Sequence, residues 1–174
     1  MSPEGFSTLT AQEFDTLRQV PLWITLLIGG ADDTFDRSER DWAARIVRIR
    51  TYAREGSFDE YYRQVAENFV NRLDELWESL PSDAESRNQL LAEKIAEVNP
   101  ILAKLHPPLG ALLYQSYCKL ADEVAKASGG FLRIGAVSPE ENRWVKLPML
   151  TPIYSEEASL FAKWEEDDSS GLKT

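Results

Sequence analysis

Four of the five carboxylates in GGADDTFDRSERDW, Gly29 to Trp42, crowd together ahead of Asp41: Asp32, Asp33, Asp36 and Glu39. An oxygen-only donor set of this kind suits a hard divalent ion, which takes about six to eight oxygens from carboxylates and backbone carbonyls together. Calcium or magnesium is the expected guest rather than zinc, because no thiolate and no nearby histidine is available. The spacing is not that of an EF-hand, which needs acids at alternate positions, a central glycine and a closing glutamate. The same residues have a second use. Asp36 and Glu39 stand as the cap and the reaching-back glutamate of a capping box, which leaves Asp32 and Asp33 in a solvated turn near the positive end of the next helix. Because four other predicted helix starts carry the same box, the capping role ranks ahead of the metal role.

Other chemistry lacks partners. The one histidine, His106, precedes Pro107-Pro108 at a helix junction, and the one cysteine, Cys118, falls in a core stripe where a buried thiol is expected. A di-iron bundle would need two Glu-x-x-His pairs, which a single histidine cannot supply. The glycines of SGGFLRIG follow a helix instead of preceding one, so Gly129 and Gly130 read as a helix stop and not as a phosphate cradle. No catalysis is expected. The alternative is an uncharacterised enzyme using Glu123, Glu140 and Glu141 as general acids or bases, which requires a pocket and a carboxyl with a raised pKa.

The elements that must position these groups are helical. With 174 residues and 43% hydrophobic content, the chain is sized for one globular domain. A net charge of −10 repels phosphate backbones, so no nucleic acid is expected. No basic-then-apolar leader and no bilayer-length apolar run is present, which points to a cytoplasmic protein with no transmembrane segment. Apolar residues recur at steps of three and four throughout, and the predicted helices are 11 to 19, 21 to 31, 37 to 54, 58 to 80, 83 to 105, 108 to 128, 139 to 147 and 155 to 166. Capping boxes pair Thr10 with Glu13, Ser57 with Glu60, Ser82 with Glu85 and Ser138 with Glu141. Pro100 should kink or break its helix. The short PSD turn predicts that 58 to 80 and 83 to 105 pack antiparallel. The expectation is an all-α compact bundle of seven to eight helices over 1–166, followed by an acidic tail at 167–174. Trp42, Trp77, Trp144, Tyr61 and Tyr62 read as core, whereas Trp23 and Trp164 are the better candidates for a partner surface.

Gly-Gly, a loop, a cap, a glutamate and a tryptophan recur in order, so that Asp36, Glu39 and Trp42 correspond to Ser138, Glu141 and Trp144. This echo suggests two related helix-loop-helix lobes. The two blocks, Pro21 to Trp42 and Ala121 to Trp144, resemble the paired signatures of the tellurite-resistance TerB-like family. That resemblance implies an all-helical pseudo-two-fold domain and a stress-response role exercised by metal binding or protein–protein interaction, with a protein partner and with self-association allowed. Two departures stand out: Asp33 replaces the glycine of the family's Ala-Asp-Gly turn, and Ser128-Gly129 stand where a second such turn would fall.

The two roles of the acidic stretch separate by titration. If it holds a cation, melting temperature should climb with added calcium or magnesium and fall back with chelator, and replacing Asp32 and Asp33 by asparagine should abolish the response. Asp36→Ala should cost about 1 kcal/mol without metal, as loss of a cap. No shift with either ion leaves a helix start alone.

Overall fold

The computed structural model describes residues 3–30, 37–50, 57–130 and 143–156. Seven α-helices occur there and no strand: α1 Ala11–Gly29, α2 Arg37–Arg50, α3 Ser57–Ala66, α4 Phe69–Ser79, α5 Ala84–Ala96, α6 Asn99–Leu102 and α7 Pro107–Gly130. The protein is an all-α bundle. Of the last predicted helix, 155 to 166, all but the first two residues lie outside the described residues, as does the acidic tail at 167–174.

Helix α1 is the central element, packed on α7, α5, α3 and α4. Its second half, VPLWITLLIG, is apolar on every side, the composition of a helix enclosed all round, and every residue from Val20 to Gly30 is buried. Its start is the predicted box: Thr10 Oγ1 accepts from the Glu13 amide at 3.2 Å and Glu13 Oε2 accepts from the Thr10 amide at 2.9 Å. Lys104 from the α6–α7 corner also bonds Glu13. That ammonium, aided by the Thr10 amide, holds the carboxyl below its usual range.

One expectation fails here for an instructive reason. The predicted helices 11 to 19 and 21 to 31 are one: α1 runs through Pro21 without a break. A mid-helix proline has no N–H for the carbonyl four residues back, which is that of Leu17. The missing donor comes from α3: the Tyr61 hydroxyl donates to the Leu17 carbonyl at 2.7 Å. Since that uses Tyr61's single proton, Tyr117 is the donor in the 2.8 Å contact between the two hydroxyls. In the same turn Arg72 Nη2 donates to the Arg18 carbonyl at 3.2 Å, and Thr25 Oγ1 donates to the Pro21 carbonyl at 2.7 Å. Phe6 and Phe14 pack on Tyr61, with ring centroids 5.6 and 6.3 Å away. Burial raises both the Tyr61 and Tyr117 hydroxyls well above the ordinary tyrosine value.

Other boundaries also shift. The predicted helix 58 to 80 divides at Asn68, which takes the left-handed conformation with φ 52°, a region asparagine tolerates better than most residues. Arg72 Nη1 donates to the Val65 carbonyl at the break, at 3.1 Å. Pro100 behaves as expected, because α5 ends at Ala96 and α6 starts afresh. The cap of α5 is Asp83, not Ser82; its Oδ1 accepts from the Ser86 amide at 2.8 Å. Instead of packing antiparallel against each other, α4 and α5 lie chiefly on α1, with α4 also on α2. The central helix is the larger apolar surface and takes both. Helix α7 continues through Gly129 and Gly130 rather than stopping before them, since a glycine permits a helix end without enforcing one. Past the second corner, Asn99 clamps the returning chain, donating from Nδ2 to the Met149 carbonyl at 2.9 Å and accepting at Oδ1 from the Thr151 amide at 2.7 Å.

Tyr61→Phe strands the Leu17 carbonyl and the Tyr117 hydroxyl inside the core, so it should lower stability in urea by about 1–3 kcal/mol. In a Pro21→Ala background the restored amide serves Leu17, and the same change should cost about 1 kcal/mol less. Strict additivity of the two substitutions would refute this account of how the proline is tolerated.

Candidate functional site

Of the predicted metal ligands, Asp32, Asp33 and Asp36 lie outside the described residues, and of Glu39 only the α2 backbone is described. Among the described residues no three histidine, cysteine or acidic side chains converge on a common point. What does stand at the edge of this corner is a cation. Arg87 of α5, 2% exposed, donates from Nη2 to the Gly30 carbonyl at 2.8 Å and from Nη1 to the Ser82 carbonyl at 3.1 Å. Its guanidinium lies 4.5 Å from the centroid of the Trp77 ring. The end of α1 carries unpaired carbonyls and a negative partial charge, which a buried guanidinium answers. Gly30 makes the arrangement fit: a Cβ there would meet Trp77 Cζ3 at 2.6 Å.

The second corner, with Ser138, Glu140 and Glu141, also lies outside the described residues, as does Trp164, so the two-lobe comparison of Trp42 with Trp144 has no described corner on its second side. Glu123 is half-buried on α7. His106 is exposed just before α7, and Cys118 stands three turns along it, about 18 Å away along the axis, so no Cys–His pair forms. Cys118 is half-buried rather than fully buried, and burial pushes its thiol up, away from the reactive thiolate.

The exposed chemistry is on α2. This helix turns Ala43, Ile46 and Val47 inward, which rotates Trp42 to the margin of the buried stripe and leaves it 44% exposed. The expectation that Trp42 is core is thereby corrected, as is its converse: Trp23, expected at a surface, is 7% exposed because α1 is covered on all sides. Arg40 Nη1 meets Asp74 Oδ1 at 2.9 Å and ties α2 to α4. Beyond that tie, Arg45 and Arg48 face outward along the helix. They border a groove of about 480 Å³ between α2 and the α3–α4 junction. Ala44, Ala66, Phe69 and Val70 give it apolar walls, while Asn68, Asn71 and Asp41 add polar groups.

A second groove, of about 460 Å³, lies at the α6–α7 corner between Leu102, Leu105 and the strap residues Ile153 and Tyr154, the last 84% exposed. Tyr114, behind the strap on α7, has its hydroxyl pushed up to about 12, first by burial and then by its bond to Cys118. Neither groove was visible in the sequence, because each joins segments distant along the chain. The one local signal for the first was the run of arginines in RSERDWAARIVRIR.

Comparison with family models, with curated proteins and with solved structures yields no match. No helix among the described residues is long and apolar enough to cross a membrane.

The Arg87 cap makes a sharp claim about geometry. Arg87→Lys keeps the charge but loses the planar fork that reaches two carbonyls and stacks on Trp77, so it should destabilise by about 1–3 kcal/mol in urea unfolding. Gly30→Ala should destabilise through the clash with Trp77 and be partly relieved by Trp77→Leu. A lysine variant as stable as the parent would refute the role assigned to the guanidinium.

Proposed function

We propose that this protein acts by contact, as a helical binding module, with the α2 groove as its recognition surface. The observation that carries the reading is Trp42, exposed on α2 one turn before Arg45, which lines a groove with an apolar wall. Tryptophan and arginine are the residues that most often dominate binding energy at protein interfaces. The stress-response setting comes from the likeness of Pro21–Trp42 and Ala121–Trp144 to TerB-like proteins. A calcium or magnesium ion at Asp32, Asp33, Asp36 and Glu39 belongs to this proposal as an accessory, and the contact needs none. The enzymatic alternative draws less support, since neither groove includes Glu123.

Co-purification from the native cell, comparing the parent with the double variant Trp42→Ala/Arg45→Glu, tests the reading. Both positions are exposed, so thermal unfolding of the variant should match the parent within about 0.5 kcal/mol. A stoichiometric partner that the variant loses supports the proposal; a partner retained equally by a folded variant overturns it.

A further inference from the structure

We propose that the strap from Pro148 to Glu156 is an exchangeable arm, which leaves its seat on Asn99 and Gly110 and takes the same seat on a second copy of the chain, closing a two-fold dimer. The inference stands apart from the contact reading of α2 and does not depend on it.

The turn that launches the strap is the first argument. Leu147 holds φ at 46°, a left-handed conformation in which a side chain crowds the following carbonyl. Pro148 opposes the same conformation, because the residue before a proline is biased to extended backbone. What keeps the turn closed is local: the Leu147 carbonyl accepts from the Leu150 amide at 2.9 Å, and the Leu147 side chain, 1% exposed, is enclosed by the core. Opening the turn satisfies both backbone preferences at once and lets that side chain stay where it is. Short hinges under strain of this kind favour exchange between copies.

The seat is the second argument, and it names the occupant. Beyond the turn Leu150 alone is buried, while Met149, Ile153 and Ser155 are half-buried and the rest of the strap is exposed. Asn99 grips the backbone on either side of Leu150, through the Met149 carbonyl and the Thr151 amide. Gly110 leaves the space beside Ile153: a Cβ there would stand 3.8 Å from Ile153 Cδ1 and 3.2 Å from the Leu102 carbonyl. An identical strap arriving from outside makes every one of these contacts, so exchange trades like for like and changes only the turn. Extended, the arm from Pro148 to Glu156 reaches about 30 Å, the scale on which a small domain meets its neighbour. The groove of Leu102, Leu105, Ile153 and Tyr154 then becomes a site built from two chains.

The test uses the full chain, with mass read by size-exclusion chromatography and light scattering across a concentration series. The parent should show a monomer and a dimer whose share grows with concentration. Leu147→Gly accepts the left-handed turn without backbone cost and should lower the dimerisation constant at least about tenfold, since each dimer opens two turns; Pro148→Ala should act in the same direction. Complementation then separates exchange from an ordinary surface dimer. Gly110→Leu fills the seat and Leu150→Asp/Ile153→Asp spoils the arm, so neither variant should dimerise alone, whereas their mixture should give a heterodimer with one intact arm in one intact seat. Misfolding cannot mimic that recovery. A parent that stays monomeric, a dimer unmoved by both turn variants, or a mixture that stays monomeric would overturn the proposal. So would a dimer abolished by Trp42→Ala/Arg45→Glu, which would place the interface on α2.

Discussion

A proline in the middle of the most buried helix is the constraint on which the rest of this structure depends. Pro21 deprives Leu17 of its backbone donor inside a core that water does not reach, and a carbonyl left so is costly. The remedy, Tyr61, sets the position of α3 against α1, and Tyr117, bonded to Tyr61 in turn, sets α7. Three helices are thereby registered on one another by a chain of two hydroxyls and a carbonyl. Tyr62 adds a parallel tie, its hydroxyl 2.5 Å from Ser116 Oγ on α7. Apolar packing alone would tolerate sliding among these helices; directional bonds do not.

Arginine performs the complementary task at helix ends. Arg72 spans the α3–α4 break and α1, and Arg87 closes the end of α1 while stacking on Trp77. In both places one planar group serves carbonyls from two segments, which a lysine ammonium on a flexible stem does poorly. These interior arginines and the outward pair on α2 show why a net charge of −10 is a poor guide to any single surface of the molecule.

What could be read from the sequence divides along the same physical line. Local features were legible: the Thr10–Glu13 box forms as its spacing required, and α5 ends ahead of Pro100, which falls in the first turn of α6 while the Ala96 carbonyl accepts from the adjacent Asn99 Nδ2 at 2.9 Å. Pro21 misled because the donor that serves the Leu17 carbonyl lies 44 residues from it along the chain. At Ser82-Asp83 two adjacent side chains could each cap, and pattern alone does not choose between them. Periodicity located the stripes but not how many sides of a helix its neighbours cover, hence the exchange of roles between Trp23 and Trp42. The α2 groove needed the spatial meeting of 41–48 with 66–71, which no linear spacing records.

The clamp made by Asn99 has a consequence for the chemical ageing of the protein. Asparagine deteriorates chiefly when the amide nitrogen of the next residue attacks the side-chain carbonyl, closes a succinimide and expels ammonia. Here the next residue is Pro100, whose ring nitrogen carries no hydrogen and cannot complete that closure. The carboxamide must stay an amide, because an aspartate would no longer donate to the Met149 carbonyl while accepting from Thr151. The proline that breaks the helix thus also preserves, over the lifetime of the molecule, the side chain that fastens the strap.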